Sequence, residues 1–390
     1  MTRDMAGIQP HNMSCTLKDL ASYFFRLGYL GFGGPAALVQ YMERDLVDER
    51  NWITPDEYAE GIALAQLAPG PLAAQLAIYL GWVRFKNVGA TICGLAFILP
   101  SFIICLILAF FYLKFSSLPW LKPTFYVVGA AVIGIIVMSS FKLAKKAVGK
   151  DKLLLGLWSI SALVTAVTEN ENIYLILGTG IFYMLWKHPN LLKLNRSGFI
   201  FIPSLLYGIN GEATNDTLSD IFFYFVKAGS FIFGSGLAIV PFLHTGVVSE
   251  FKWLTERQFL DAVAVAMITP GPVVITVAFI GYLVAGFSGS VLAATGTFLP
   301  CYLFTIIPAP YFNKYAKNVY LKSLIAGITV AAVGAIAGAC WVLGKRAIID
   351  PFTFIIAIIV CVTLIKTKIK EPLIILFSAM IGLFIFTTKS

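Results

Sequence analysis

The sequence predicts an all-α polytopic membrane protein made of two inverted-topology repeats with Gly/Pro-interrupted helices, about 12–13 membrane segments in all. Three observations predict it. The 390 residues are 58% hydrophobic and only 13% charged, with mean hydropathy +0.84; a soluble domain is nearer half apolar and a quarter charged. Apolar runs of bilayer-spanning length recur along the chain. Finally, one helix breaker occurs twice, Pro69-Gly70-Pro71 in one apolar run and Pro270-Gly271-Pro272 in another. Proline deletes a backbone donor and clashes one turn back, so a breaker repeated in matching surroundings reads as a device.

Residues 1–17 are a polar tail. No small-residue cleavage site follows the first apolar run, so no removable signal peptide is expected. That run, Leu20 to Tyr41, is interrupted by Gly31-Phe32-Gly33-Gly34-Pro35. After the charged stretch Glu43 to Trp52, Thr54-Pro55-Asp56-Glu57 spells a helix start. Thr is the N-cap, Pro stands at N1 and Glu at N3, with Ile53 and Tyr58 spaced as a hydrophobic staple. The helix should run from about Pro55 into the Pro69 break and resume to about Gly81. Further apolar runs are Val88–Leu113, Thr124–Phe141, Leu153–Val167 and Ile173–Trp186. A basic linker then leads to the short apolar Phe199–Ile209.

The second half replays the first at a shift of 201 residues. Phe32-Gly33-Gly34 answers to Phe233-Gly234-Ser235, the Thr54 cap to Thr255 with Gln258, Glu60 to Asp261, and one Pro-Gly-Pro to the other. After a one-residue deletion, Gly81 pairs with Gly281, Gly89 with Gly289 and Pro100 with Pro300. Unusual residues held in register over this length indicate an internal repeat. The divisions are therefore a first repeat at 18–186, a linker at 187–217 and a second repeat at 218–390. Taking six runs per half, Lys and Arg favour opposite sides of the two halves, which by the positive-inside rule makes the repeats face opposite ways. Opposed repeats need an extra crossing between them, and Phe199–Ile209 is the candidate. Inverted repeats are an architecture of secondary transporters.

Chemistry is expected at the breaks, Gly31–Pro35, Pro69–Pro71, Gly234–Gly236 and Pro270–Pro272. Interrupted helices present unpaired N–H groups and partial positive charge at their inner ends. Converging near the midplane, they would form an anion site from Gly33, Gly34, Pro35, Pro69, Gly70, Pro71, Gly234, Ser235, Gly236, Pro270, Gly271 and Pro272; alternatively the glycines serve close helix packing. Arg26 and Lys227 are equivalent under the repeat and lie just ahead of a break. They either bring positive charge to the site or snorkel to the interface. Gln66, Gln75, Thr269 and Thr276 flank the breaks and either donate to an oxyanion or tie helices together. Glu60 and Asp261 either carry a coupling proton or pair with nearby cations. The three histidines are isolated and no Walker motif is present, so neither metal site nor ATP motor is expected. The six cysteines show no C-x-x-C and read as buried inert thiols. The charge of +9 lies mostly in loops, as membrane insertion requires, and does not point to nucleic acid.

The ordered set Phe32-Gly33-Gly34-Pro35, the Trp52-centred cap, Pro69-Gly70-Pro71 with Gln75 and Tyr79-Leu80-Gly81, Phe233-Gly234-Ser235-Gly236, and Thr269-Pro270-Gly271-Pro272 with Ile280-Gly281-Tyr282 resembles the chromate ion transporter family, in its long-chain two-domain form. The resemblance covers both halves. It implies membrane transport of chromate, a tetrahedral dianion, often as gradient-driven efflux, with sulfate as a look-alike. It also implies halves of opposite orientation. The chain departs from the family pattern at Leu38, where many members carry histidine, and at Ala74, a common threonine.

The expectation is a secondary transporter of an inorganic oxyanion in a bacterial inner membrane, not an enzyme. One repeat would rock against the other, without cofactor and surrounded by lipid. A homodimer is left open. A passive anion channel and a non-transport membrane scaffold are the alternatives.

Overall fold

The computed structural model describes residues 15–189 and 216–389, apart from positions 33, 116–117, 171, 235, 237–238, 313–317 and 368. Phe199–Ile209 and the site positions Gly33 and Ser235 lie outside the described residues. In the first half α1 is Leu17–Leu30, and α2, Gly34–Met42, runs on as a π-helical turn, Glu43–Glu49. Then come α3 (Pro55–Leu67), α4 (Leu72–Phe115), α5 (Leu121–Val148), α6 (Lys152–Thr168) and α7 (Ile173–Lys187). The second half repeats the order. α8 is Asp216–Ser230, and α9, Ile239–His244, again runs into a π-helical turn, Thr245–Glu250. α10 (Glu256–Ile268), α11 (Thr276–Ile306), α12 (Val319–Ala347), α13 (Pro351–Lys366) and α14 (Glu371–Lys389) follow.

The capping residues act as their spacing predicts. The Thr54 hydroxyl accepts from the Glu57 N–H, while the Glu57 carboxylate accepts from the Thr54 N–H; Thr255 and Gln258 do the same for α10. Ile53 and Tyr58 are both buried in the core. Four helical segments among the described residues are long and apolar enough to cross a membrane: Leu72–Phe115, Pro123–Val148, Val273–Tyr311 and Val319–Ala347. The chain is an all-α, multi-pass membrane protein.

Two of these segments are not straight rods. α4 is non-helical at Phe85 and Lys86, and α11 at the equivalent Ala285 and Gly286. A Cβ on Gly89 would lie 2.1 Å from the Gly81 carbonyl oxygen, and one on Gly289 would lie 2.3 Å from that of Gly281. Residues eight apart in a continuous helix are separated by about 12 Å along its axis. Contact between them therefore means that each helix folds back on itself, and only glycine permits so close an approach.

The reversal changes how the runs are counted. Arg84, at the end of the first arm of α4, donates to the Trp52 carbonyl at 2.5 Å and to Glu57 at 2.8 Å. The start of α3 and the α4 reversal thus share one end of the molecule. The Arg50 guanidinium, at the exit of the α2 π-turn, stacks on Tyr23 of α1 and on Trp52, so that exit lies there too. Residues 17–84 are consequently two hairpins dipping in from one end, rather than the simple alternation of sides taken from the sequence.

The halves interlock. α5 packs against α13 and α14, and α12 packs against α6 and α7, so each half's long helix is embraced by the other half's last two helices. The ends are clasped as well. Arg346 of α12 donates to Ser249 at 2.9 Å and pairs with Glu169, which follows α6; Tyr126 of α5 donates to Asp350, the N-cap of α13. That hydroxyl first, and then the Thr353 N–H, hold the Asp350 carboxyl below the usual carboxylate range. Between the halves, α4 packs on α11, with Thr91 hydrogen-bonded to Tyr302 at 2.7 Å. Phe102 and Val291 line one cavity with those two residues. Residues early in each helix therefore lie beside residues late in the other, which requires the equivalent helices to run antiparallel.

The reversal predicts a sharp contrast between glycines. Gly89→Val is expected to lose about 1–3 kcal/mol of stability through overpacking. Gly156→Ala, where an added Cβ meets nothing within 4 Å, should leave stability unchanged or slightly raised. Thermal unfolding of the two purified variants, followed by size-exclusion chromatography, checks this.

Candidate functional site

The four breaks meet. α3 ends at Leu67 and α4 begins at Leu72; between them Gly70-Pro71 runs parallel to Phe233-Gly234, with Gly70 opposite Phe233 and Pro71 opposite Gly234. The Gly70 N–H donates to the Ile232 carbonyl at 2.6 Å, and the Gly271 N–H donates to the Gly31 carbonyl at 3.0 Å. These two bonds are the same bond under the repeat, since Gly70 answers to Gly271 and Gly31 to Ile232. Each Pro-Gly-Pro is thus bonded to the other half's Gly-rich break. The same bond is thus made twice, once in each direction between the halves.

Glycine is required at these points. Gly70 has φ +145° and Gly271 φ +90°, values that L side chains rarely adopt. A Cβ on Gly271 would also fall 2.0 Å from the Ser101 hydroxyl oxygen. Gly34, with φ +74°, opens α2 in the same way, and Pro35 follows it at the start of that helix. Gly236 lies against Val273 and Val274, so the second half's breaks touch each other too.

Side chains at the junction mostly bond to the protein. Gln75 is fully buried and donates through Nε2 to the Pro69 carbonyl at 2.9 Å, bracing the break. Its Oε1 is buried and meets no donor among the described residues. Thr269 donates to the Val265 carbonyl at 2.8 Å, and Thr276 to that of Val273 at 2.7 Å. Their hydroxyl protons are committed to their own helices. What remains is backbone. The opening turns of α2 and α4 begin at the junction, and first-turn N–H groups have no intrahelical acceptor. By contrast, α11 is led in by a 3-10 turn, Val273–Ile275, in which the Ile275 N–H donates to the Pro272 carbonyl and the Thr276 N–H to that of Val273.

Two residues invisible as candidates in the sequence belong here. Ser101, after Pro100, donates to the Gly28 carbonyl at 3.1 Å and packs under Gly271. Tyr112 of α4 donates to Asp261 at 2.7 Å across the halves. Asp261 is 3% exposed. Its counterpart Glu60 is half-buried and accepts from Tyr79 of its own half at 3.0 Å. Each acid thus accepts a hydrogen bond from a tyrosine hydroxyl. Arg26 stands apart from the junction: it is exposed on α1 and lines a surface crevice with Ser22, Phe25 and Tyr29. Lys227 is half-buried on α8. Neither has a hydrogen bond or ion pair to a described residue. Among the described residues no group of His, Cys, Asp and Glu could hold a metal ion.

An all-helical membrane protein in which broken helices of two halves meet has an architecture that secondary transporters use. The comparisons make the class particular. A family model described as "Chromate transporter" matches residues 18–184 and 219–383. The chain is 54% identical, over 94% of its length and 93% of the relative's, to the chromate transport protein of Cupriavidus metallidurans. It is 53% identical to a probable chromate transport protein of Synechococcus elongatus, covering 96% of each chain. An uncharacterized transporter of Methanocaldococcus jannaschii is 30% identical over 80% of each. No solved structure matches. The chain belongs to the chromate transporter family; it is a transporter, not an enzyme.

Two sets of variants test the site's construction. Gly70→Ala and Gly271→Ala are each expected to lower transport at least about tenfold while folded protein stays in the membrane, since they strain the crossing backbone. Flux per folded molecule in proteoliposomes checks this. Tyr112→Phe, which strips a buried carboxylate of its donor, should cost about 1.5–3 kcal/mol. Tyr79→Phe should cost less, because half-buried Glu60 can be hydrated. Thermal unfolding of both variants ranks them.

Proposed function

We propose that the protein moves chromate, or a tetrahedral oxyanion of the same shape such as sulfate, across the membrane by alternating access, in the direction of efflux. The observation that carries this reading is the reciprocal bonding of the breaks, Gly70 N–H to Ile232 and Gly271 N–H to Gly31. It gathers helix N-termini from both halves around one point, where N–H groups and partial positive charge suit an anion. The similarity to a chromate transport protein and a probable one supports chromate as that anion. The absence of Leu38 and Ala74 polar groups leaves recognition to the main chain.

The repeats, 18–186 and 218–390, are read as inverted in the bilayer. The antiparallel crossing of α4 and α11 supports this, as do the clasps that put Arg346 beside Glu169. The end with Arg50, Arg84, Lys145, Lys146 and Lys150 is the more basic, which makes it the cytoplasmic face. The moving parts differ from two rocking repeats. Because the breaks are bonded across the halves, α1–α4 and α8–α11 travel as one crossed core against α5–α7 and α12–α14.

Uptake of labelled chromate into proteoliposomes, with and without a pH gradient and with sulfate as competitor, tests the proposal. Saturable uptake that sulfate inhibits is expected. Flux too fast for a conformational cycle, with no counter-substrate requirement, would replace the transporter by a channel. Absence of any oxyanion flux from folded protein would leave the scaffold reading.

A further inference from the structure

The two halves carry the same elements, but they are not buried alike. In α10, every residue from Asp261 to Met267 is buried, and the helix packs against α5 and α14. The equivalent α3 packs against α4 and the π-helical turn, and its pairings with α12 and α7 are not among the packed pairs of the described residues. Asp56, Ala59, Ala63 and Gln66 stand exposed on it. Steps of three and four residues put them on one stripe running from the cap at Thr54 to the break.

The shorter helices repeat the contrast independently. All six residues of α9 are buried, and α9 packs against α12. Of the equivalents, Gln40 of α2 and Glu43 at the start of its π-turn are exposed and Val39 and Tyr41 half-buried, and α2 packs mainly against that turn and α4. The break itself follows suit. Thr269 to Pro272 are buried, whereas Ala68 and Pro69 are half-buried.

The stripe on α3 is built for water rather than lipid. Where α4 shows an outer surface, its exposed side chains are large, Leu95, Leu99, Ile103 and Phe110 among them. No large apolar side chain is exposed between Pro55 and Leu67. Asp, Gln and two alanines facing hydrocarbon would lose hydration and gain no packing.

We propose that the α3 stripe lines an aqueous approach to the crossed breaks from the end bearing Arg50 and Arg84, and that α9 and α10 seal the equivalent approach from the other end. The proposal rests on the transport reading and adds to it the residues past which water and the anion reach the site. The closed half is a template for the open one. In the opposite state α3 closes on α12 and α7, and α2 on α5, as α10 now closes on α5 and α14, and α9 on α12. The two carboxylates exchange places in the same movement: Glu60 becomes buried and Asp261 opens to water.

Cysteine accessibility tests this in the full-length protein. Ala63→Cys and its equivalent Ala264→Cys are reconstituted in vesicles of known orientation and treated with a membrane-impermeant charged thiol reagent, against the unmodified chain as background. Ala63→Cys is expected to react at least about tenfold faster than Ala264→Cys, as a minority open state of the sealed side requires, and only from the Arg50 and Arg84 face. Ala59→Cys, on the same stripe, should behave like Ala63→Cys and serves if that variant does not fold. Equal rates at Ala63 and Ala264, reaction from both faces, or labelling of Ala63→Cys by a lipid-soluble maleimide alone would each overturn the proposal. Such labelling failures beside intact chromate flux would spare the transport reading. The expected labelling without any oxyanion flux would uphold the water-lined approach and remove its role in transport.

Discussion

The fold depends on where two backbone amides find their acceptors. A Pro-Gly-Pro break in a helix strands main-chain groups, and in a bilayer no water is at hand to take them. A buried amide without a partner costs about 1–3 kcal/mol. Here Gly70 and Gly271 each take a carbonyl from the other half. Each break is thus satisfied by the other repeat, which ties the two together. The other features answer to the same need: the positive φ angles at the break glycines, Gln75 folded back onto the Pro69 carbonyl, and Ser101 under Gly271.

The local grammar of the chain was legible in the sequence. The Thr54 and Thr255 caps, the breaks and the repeat register all rest on interactions within a few residues or on plain self-similarity, and helix starts appear where those caps fall. The reversals were not legible. Gly286 could have marked one, but its equivalent is Lys86 at φ +53°, and a lysine gives no such signal. The reversal shows itself only in the Gly81–Gly89 and Gly281–Gly289 contacts, which depend on the fold-back they permit. The embrace of α5 by α13 and α14 was equally hidden, because periodicity says which face is apolar and not which helix covers it.

For the site, the main-chain components were readable and the side chains were less so. Arg26 is a cation in an apolar run, where charge is expensive, yet it lies on the exposed side of α1. Thr269 and Thr276 sit where expected but turn their protons inward. Tyr112 and Tyr79 gave no sign of their role, since a tyrosine in an apolar run is an ordinary packing residue. Under the repeat Tyr79 answers to Phe279, whose ring lies 5.6 Å from that of Tyr112. The aromatic shell of the two acids is therefore shared, while the hydroxyl has settled on a different ring in each half. Symmetry fixed the frame, and the donors diverged within it.

That divergence matters for motion. If the two repeats moved as separate bodies, each step would break Gly70 to Ile232, Gly271 to Gly31 and Tyr112 to Asp261. Several buried donors would then be unpaired at once, at a cost of several kcal/mol. Sliding the crossed core against α5–α7 and α12–α14 would keep all three bonds. The contacts at that boundary are mainly apolar, and Arg346, bonded to Ser249 and Glu256 at one end of the molecule, would have to exchange partners. The asymmetry in burial between α3 and α10 lies at that second boundary, outside the bonded core. The buried main-chain bonds thus tie α1–α4 to α8–α11, a grouping that does not follow the line between the repeats.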